Sequence, residues 1–297
     1  MEHIKMERAL LIYNPSAGKI SAASRLHDII KYLLEVGFEV IPYPTKKQGD
    51  AQKKAAQASK EFRNIIAVGG DGTLHEIVNG LGENMGSINL GIIPAGTSND
   101  FARALGIPTD TAGAVQVIGR KKIKRVDIGM INERFFINVA GGGNLTNVSY
   151  EVPRKLKTYL GQLAYYAKSL EELPRLRPVK VRIKTPELII DEEIMLFLAA
   201  NSRTAGGFEL LAPKASFSDG LLDLIVVKKL SLAEFISLAA VCLSGEHINH
   251  PKVIYLQTSK VEVTSREKVS LNTDGEYAGL LPCSIKILPG RLNLYMP

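Results

Sequence analysis

The residues whose types and spacing best suit chemistry are Gly69, Gly70, Asp71, Gly72 and Thr73. They follow Ile65-Ile66-Ala67-Val68, an uninterrupted apolar run of the kind found in a strand buried on both faces. The glycines open backbone φ values closed to other residues and leave no Cβ between the amides and a ligand. Thr73, with Glu76 three residues on, reads as a capping box, and Leu74, Ile77, Val78 and Leu81 as the apolar stripe of the helix it opens. A strand, a glycine turn and a helix N-terminus make an anion site, because N–H groups and the helix dipole converge there. Asp71 inside that turn repels a phosphate unless a cation intervenes, so the pattern reads as a nucleotide–metal site. The competing reading is a plain strand-to-helix turn capped by Asp71.

The surrounding elements must position this turn. Ala9 to Tyr13, Phe38 to Ile41, Ile65 to Val68 and Leu90 to Ile93 read as strands. Between them lie helical patterns: from about Ser21 through Leu26, Ile29, Ile30, Leu33 and Leu34, from Asp50 to Ser59, and from Thr73 onward. A short helix packs Phe101, Leu105 and Ile107, and Thr109 caps a last one carrying Val115, Val117 and Ile118. Strands alternating with helices describe a doubly wound parallel sheet, with its ligand crevice at the carboxyl ends of the strands. Four polar, glycine-rich loops fall there: Asn14 to Lys19, Thr45, Gly69 to Thr73, and Gly96 to Asp100. Gly18-Lys19 suggests a Walker loop, but that motif requires a glycine where Tyr13 stands.

A chain of 297 residues exceeds the usual single core, so two domains are expected. No apolar run approaches the roughly 18 residues needed to span a bilayer, and the start lacks the apolar core of a secretory signal. Cys242 and Cys283 suggest neither a disulfide scaffold nor a zinc site, so a cytoplasmic protein is expected. The net charge of +7 favours anionic partners. Arg120-Lys121-Lys122-Ile123-Lys124-Arg125 is the densest basic cluster, yet no aromatic residue interleaves it, so no nucleic-acid partner is expected.

Near residue 130 the period changes. Arg134 to Ala140, Val179 to Thr185, Ile194 to Ala200, Leu222 to Val227, Val253 to Thr258, Lys260 to Thr264, Lys268 to Leu271 and Cys283 to Leu288 are short and β-rich. With helices near Leu156 to Leu173 and Leu232 to Leu243, this half reads as a mainly antiparallel β-sandwich. Asp274-Gly275-Glu276 and Asp219-Gly220-Leu221-Leu222-Asp223 are acidic turns, each of which alone reads as an ordinary hairpin or loop. His247-Ile248-Asn249-His250 has a metal-like spacing but no third ligand nearby, and the sequons at Asn144 and Asn147 carry no meaning in a cytoplasmic chain.

Taken in order, these pieces resemble the bacterial soluble diacylglycerol kinase family over nearly the whole chain. The resemblance rests on Asn14-Pro15, Gly69-Gly70-Asp71-Gly72-Thr73, Gly96-Thr97-Ser98-Asn99-Asp100-Phe101, Val126-Asp127, Asp219-Gly220-Leu221-Leu222-Asp223 and Asp274-Gly275-Glu276. Pro153 to Tyr166 is similar to the Gram-positive members, while Ser98 stands where the family often has a bulkier apolar residue. The resemblance implies an ATP-dependent lipid kinase, most directly one converting diacylglycerol to phosphatidic acid. An NAD-kinase-like α/β nucleotide domain over 1–129 and a β-sandwich lipid-substrate domain over 130–289 would share a cleft. Whether 290–297 return to the first domain is left open.

Carried over by position, Asn14, Pro15, Ser16, Ala17, Gly18, Thr45, Gly70, Asp71, Gly72, Thr73, Leu74, His75, Glu76 and Thr97 would hold ATP. Glu276 matches the general base, with Asp274 beside it, and Asp71 the acid that organises the catalytic Mg2+. Asp219, with the backbone carbonyls of Ser216 and Leu221, matches a structural Mg2+ site.

Two rivals are an NAD kinase-like enzyme, which lacks the Asp-Gly-Glu element, and a non-catalytic nucleotide-binding regulator. Among lipids, phosphatidylglycerol and sphingoid bases stand beside diacylglycerol. Without a spanning segment, the enzyme is expected to dock peripherally at the inner face of the membrane. Arg120, Lys121, Lys122, Lys124 and Arg125 are the first candidates for that contact, with Arg175, Arg177, Lys180 and Arg182 next. An exposed sheet edge offers a route to a homodimer.

Overall fold

The computed structural model of the protein describes residues 6–18, 22–143 and 177–297. The expected helix at Leu156 to Leu173, the Pro153 to Tyr166 stretch, both sequons, Lys19, Ser21 and Arg175 lie outside the described residues. Contacts divide the chain into two compact units, Met1–Asp127 with Pro289–Pro297, and Ile128–Leu288.

In the first unit β1 (Glu7–Tyr13), β2 (Phe38–Pro44), β3 (Asn64–Gly69) and β4 (Asn89–Pro94) pair in parallel in the order β2-β1-β3-β4. Every residue of β3 and β4 is buried, as their continuous apolar sequence requires. Helix α1 (Leu26–Glu35) packs on α5 (Thr111–Gly119), and α2 (Asp50–Ala58) packs on α3 (Asp71–Leu81). Gly80 permits the second pairing, since a Cβ there would collide with the Gln52 carbonyl. The short α4 (Asp100–Ala104) follows the loop after β4.

At the amino ends of these strands a buried polar network ties down the chain's end. Tyr295 and Asn89 both donate to Asn64 Oδ1, at 2.7 and 3.1 Å, and Asn64 Nδ2 donates to Glu7 at 3.1 Å. The Lys121 ammonium, 2.7 Å from Glu7, holds that carboxyl below its ordinary range.

In the second unit the strands are antiparallel, and two layers share one long strand, β9 (Ile189–Ala200). Its second half pairs with β7 (Val139–Gly143) and β10 (Leu222–Lys228). That layer continues through β13 (Ser270–Thr273) to β14 (Glu276–Leu280) on one side and to β11 (Val253–Thr258) on the other. The first half of β9 pairs with β8 (Val179–Lys184), which pairs with β12 (Lys260–Ser265) and so with β15 (Cys283–Tyr295). Phe136, Ile183, Phe197, Leu224, Val261, Leu271 and Ile285 fill a single core from these strands. Ala200, Ile225, Val227 and Leu238 of α6 (Leu232–Cys242) form a second cluster. The parallel and antiparallel halves match the expected fold class.

Several local expectations need correction. Helix α3 begins at Asp71 with Gly70 as N-cap and no side-chain cap, so Thr73 and Glu76 form no capping box. Asp110, not Thr109, caps α5, accepting from Gly113 N–H. The described part of the first helix begins at Leu26 rather than near Ser21. Arg134 to Ala140 is broken into β6 (Arg134–Phe136) and β7, and β5 (Ile123–Ile131) and β14 were not anticipated as strands.

Buried His247 donates from Nε2 to the Leu211 carbonyl at 2.9 Å, and burial pushes its pKa below the ordinary 6.5. The unfolded chain therefore binds this proton first as pH falls. Its contribution is intact above about pH 6.5 and is lost progressively below it. Melting temperatures taken from pH 7.5 to 5 should fall in the native protein and fall less in His247→Gln. Equal slopes would remove His247 from the acid response.

Candidate functional site

The order β2-β1-β3 places a topological switch between β1 and β3, and loops from all four strands leave at that carboxyl end. Asn14 N–H donates to the Val68 carbonyl at 3.0 Å, and Asn14 Oδ1 accepts from Ser16 N–H at 3.1 Å. Gly18 turns the loop with φ 81°. Thr45 N–H donates to the Tyr13 carbonyl at 2.9 Å, which fixes the loop after β2 to the end of β1.

The turns after β3 and β4 touch backbone to backbone. A Cβ on Gly96 would lie 2.5 Å from Gly70 Cα, and one on Gly69 would lie 2.5 Å from the Thr73 hydroxyl oxygen. None of Gly69, Gly70 and Gly72 has a positive φ. What Gly69 and Gly70 supply is therefore space, not the unusual backbone angles expected from sequence. Gly72 differs, since a Cβ there would meet nothing within 4 Å.

Asp71 joins the two turns electrostatically. Its Oδ2 accepts from Asp100 N–H and its Oδ1 from Phe101 N–H, each at 3.0 Å. Asn99, held at φ 51°, accepts from Gly96 N–H at 2.8 Å and closes the same loop. Thr97 and Ser98 are exposed at its tip. The side chains of Thr73, Leu74 and His75 are buried, and the Thr73 and Leu74 amides both donate to the Gly70 carbonyl, at 3.0 and 3.2 Å. Glu76 commits its carboxylate to the amides of Gly49 and Ala51, at 2.9 and 3.1 Å. Of the three helices opening beside these turns, α2 and α4 thus have carboxylates on their N-terminal amides. None of the three is capped by its own N-cap side chain, so the carboxylates on α2 and α4 reach them from elsewhere in the chain.

In the second unit, Asp274 and Gly275 take φ 49° and 89°, the two left-handed positions of a tight hairpin turn, and Thr273 pairs with Glu276. The Asp274 carboxylate accepts three amides, from Ile137 at 2.7 Å, Asn138 at 2.8 Å and Val139 at 3.0 Å. This clamp fills the gap between β6 and β7, where ladder bonds are interrupted. Asn272 Oδ1 accepts from Gly275 N–H at 2.8 Å, and Arg134 donates to the Tyr277 carbonyl. Half-buried Glu276 follows directly on this braced turn. Sequence reasoning missed Asn138 and Arg134; the one available signal was an asparagine interrupting an otherwise apolar run.

At the other acidic turn, Asp219 is exposed and its Oδ1 accepts from Leu221 N–H at 3.0 Å across Gly220, at φ 72°. Ser216 Oγ accepts from Ser218 N–H at 3.4 Å. Asp223 is fully buried, which pushes its pKa up, and the Tyr255 hydroxyl donates to it. Sequence reasoning gave neither of these two residues a role. Among the described residues no three His, Cys, Asp or Glu side chains converge. A metal at Asp71 or at Asp219 would therefore rest on one carboxylate with carbonyls, phosphates and water, a donor set that suits magnesium.

Residues 8–131 match the family described as diacylglycerol kinase catalytic domain, and 144–296 that described as YegS C-terminal NAD kinase beta sandwich-like domain. The chain is 46% identical over 294 residues to a diacylglycerol kinase of Bacillus subtilis, covering 98% of this chain and 97% of the relative. It is 44% identical over 292 residues to one from Staphylococcus carnosus, covering 98% and 95%. A crystal structure of a diacylglycerol kinase from Bacillus anthracis superposes with TM-score 0.82 at 29% identity, covering 99% of this chain and 98% of that one.

Proposed function

The chain belongs to the diacylglycerol kinase family, and from that premise we propose that it transfers the γ-phosphate of ATP to the hydroxyl of diacylglycerol, giving phosphatidic acid. The observation that carries this reading is the α3 N-terminus. Its first turn holds Gly72, where a Cβ would meet nothing within 4 Å, while first-turn amides of its neighbours α2 and α4 are occupied by carboxylates. An anion is drawn to the end that is left. The first unit is the nucleotide-binding domain in this reading, and the second is the lipid-substrate domain.

Phosphoryl transfer has a loose transition state, so the protein chiefly positions groups and stabilises charge. The backbone amide of Gly72 takes a phosphate oxygen, and the loops of Asn14 to Gly18, Thr45 and Thr97 hold the rest of ATP. Glu276 accepts the proton of the lipid hydroxyl as the new P–O bond forms. Asp274 is a positioning residue, because its oxygens bind the amides that brace the hairpin. Mg2+ bound with ATP near Asp71 would neutralise the phosphate charge that develops during transfer.

Asp219 with the carbonyls of Ser216 and Leu221 is the proposed structural Mg2+ site. Asp219→Ala should lower melting temperature and activity together and abolish the rise in melting temperature that added magnesium gives the native protein. Lost activity with an unchanged melting curve would instead point to catalysis.

No helix among the described residues is long and apolar enough to cross a membrane. The enzyme then meets its lipid as a peripheral protein at the inner face of the membrane. The basic cluster is poorly placed for that contact. Lys121 pairs with Glu7, the first residue of β1, and Lys122 Nζ donates to a Pro297 main-chain oxygen at 2.8 Å. Both lie at the amino ends of the strands, about 20 Å from the carboxyl-end loops at 3.3 Å per residue. Lys180 and Arg182 face Glu193 and Asp191 across β8 and β9, which offsets their charge. A homodimer through a sheet edge would use β14 or β11 rather than β2, where Pro42 and Pro44 remove donors.

A labelled-ATP assay in mixed micelles tests the reading, with diacylglycerol, phosphatidylglycerol and a sphingoid base as acceptors and NAD as a soluble control. Phosphatidic acid is the expected product. Phosphorylation of NAD with no lipid product would overturn it.

A further inference from the structure

We infer that Glu76 is a positioning residue for the nucleotide, fixing from α3 the loop that presents Thr45 so that the nucleoside end of ATP sits at a set distance from the phosphates. The inference rests on reading the first unit as an ATP site. The Glu76 side chain stands five residues inside α3, away from the turn it belongs to in sequence. Its two oxygens accept from Gly49 and Ala51, which flank the first residue of α2. The rest of the loop is equally constrained. Thr45 N–H is held by Tyr13, and the amides of Lys46 and Lys47 both donate to Asp50 Oδ2, at 2.8 and 3.1 Å.

Two consequences follow from this clamp. Glu76 and Asp50 place negative charge at the N-terminus of α2, so a phosphate cannot settle there and the loop is left to the uncharged part of a ligand. The strand order β2-β1-β3 then sets Thr45 two strand spacings, about 10 Å, from the α3 turn. That span matches the reach from the phosphates of a nucleotide to its nucleoside. Because Glu76 is part of α3 itself, the phosphate seat and the nucleoside loop are built from one rigid piece.

The experiment compares Glu76→Gln with the native chain, measuring binding of Mg–ATP and of Mg–tripolyphosphate, which engages the phosphate seat alone. Glutamine keeps the size but turns an amide donor toward an N–H. ATP affinity and KM for ATP should worsen about tenfold or more, as expected for loss of a charge-assisted hydrogen bond. The kcat at saturating ATP should change far less, and tripolyphosphate affinity should stay within about twofold. Unchanged ATP affinity overturns the inference, as does equal weakening of both ligands, which would place Glu76 at the phosphates. Amide exchange in the native protein gives a second test that needs no variant. Gly49 and Ala51 should be protected before ATP is added, and free exchange there would also overturn it. Native protein that binds tripolyphosphate but not ATP would sink the ATP-site reading as well, whereas failure in the variant alone sinks only this one.

Discussion

Replacing Glu276 with glutamine is expected to lower kcat about 100-fold or more while ATP affinity stays nearly constant, since general-base assistance typically contributes that much. Glu276 directly follows the Asp274-Gly275 turn. The Asp274 oxygens hold Ile137, Asn138 and Val139, and Asn272 holds Gly275. Glutamine is nearly isosteric and disturbs none of these bonds, so the loss reports the missing proton acceptor. Asp274→Asn should behave differently, because an amide –NH2 would face backbone donors; stability and activity should fall together. Steady-state kinetics at saturating Mg–ATP, with melting curves for both variants, separate the two roles. Near-native turnover in Glu276→Gln would remove Glu276 from the mechanism.

The parallel half of the fold was legible because its signals are local. Ile65 to Val68 and Leu90 to Ile93 are apolar throughout, and strands buried on both faces need nothing else. The loops that gather at the carboxyl ends follow from the alternation of strands and helices alone. The second half was legible as alternation, though less completely. Ile123-Lys124-Arg125 reads as part of a basic cluster, yet these exposed residues begin β5. Short β14, containing Gly279 at φ 100°, resembles a loop in sequence.

What sequence could not show was where the carboxylates of the site turn. Thr73 and Glu76 have the spacing of a capping box, but Glu76 binds amides 25 and 27 positions away. Asp71 binds amides 29 and 30 positions away, and Asp274 amides 135 to 137 positions away. Side-chain bonds to distant backbone leave no periodic trace. The glycines show the same limit. Gly70 and Gly96 are adjacent only because β3 and β4 pair, so the steric reason for them exists in the fold and not in either motif.

Asp71→Ala is expected to abolish magnesium-dependent turnover and to weaken Mg–ATP binding, with a fall of several degrees in melting temperature. The carboxylate does two things at once. It is the one acid among the glycines of the cradle, and it caps α4 through Asp100 and Phe101. Alanine removes both bonds and leaves two amides of a part-buried turn without their acceptor. Each hydrogen bond to a charged group contributes about 1.5–3 kcal/mol. Asn99, already at φ 51°, then loses part of what holds it there, and the Gly96 to Asp100 loop loosens against Gly70. Calorimetry with ATP in the presence and absence of magnesium should show a metal-dependent gain in affinity for the native protein and little or none for the variant. Full stability with lost turnover would mean that the charge matters and the cap does not. Tight, metal-dependent ATP binding by Asp71→Ala would show that the acid has no part in the cradle.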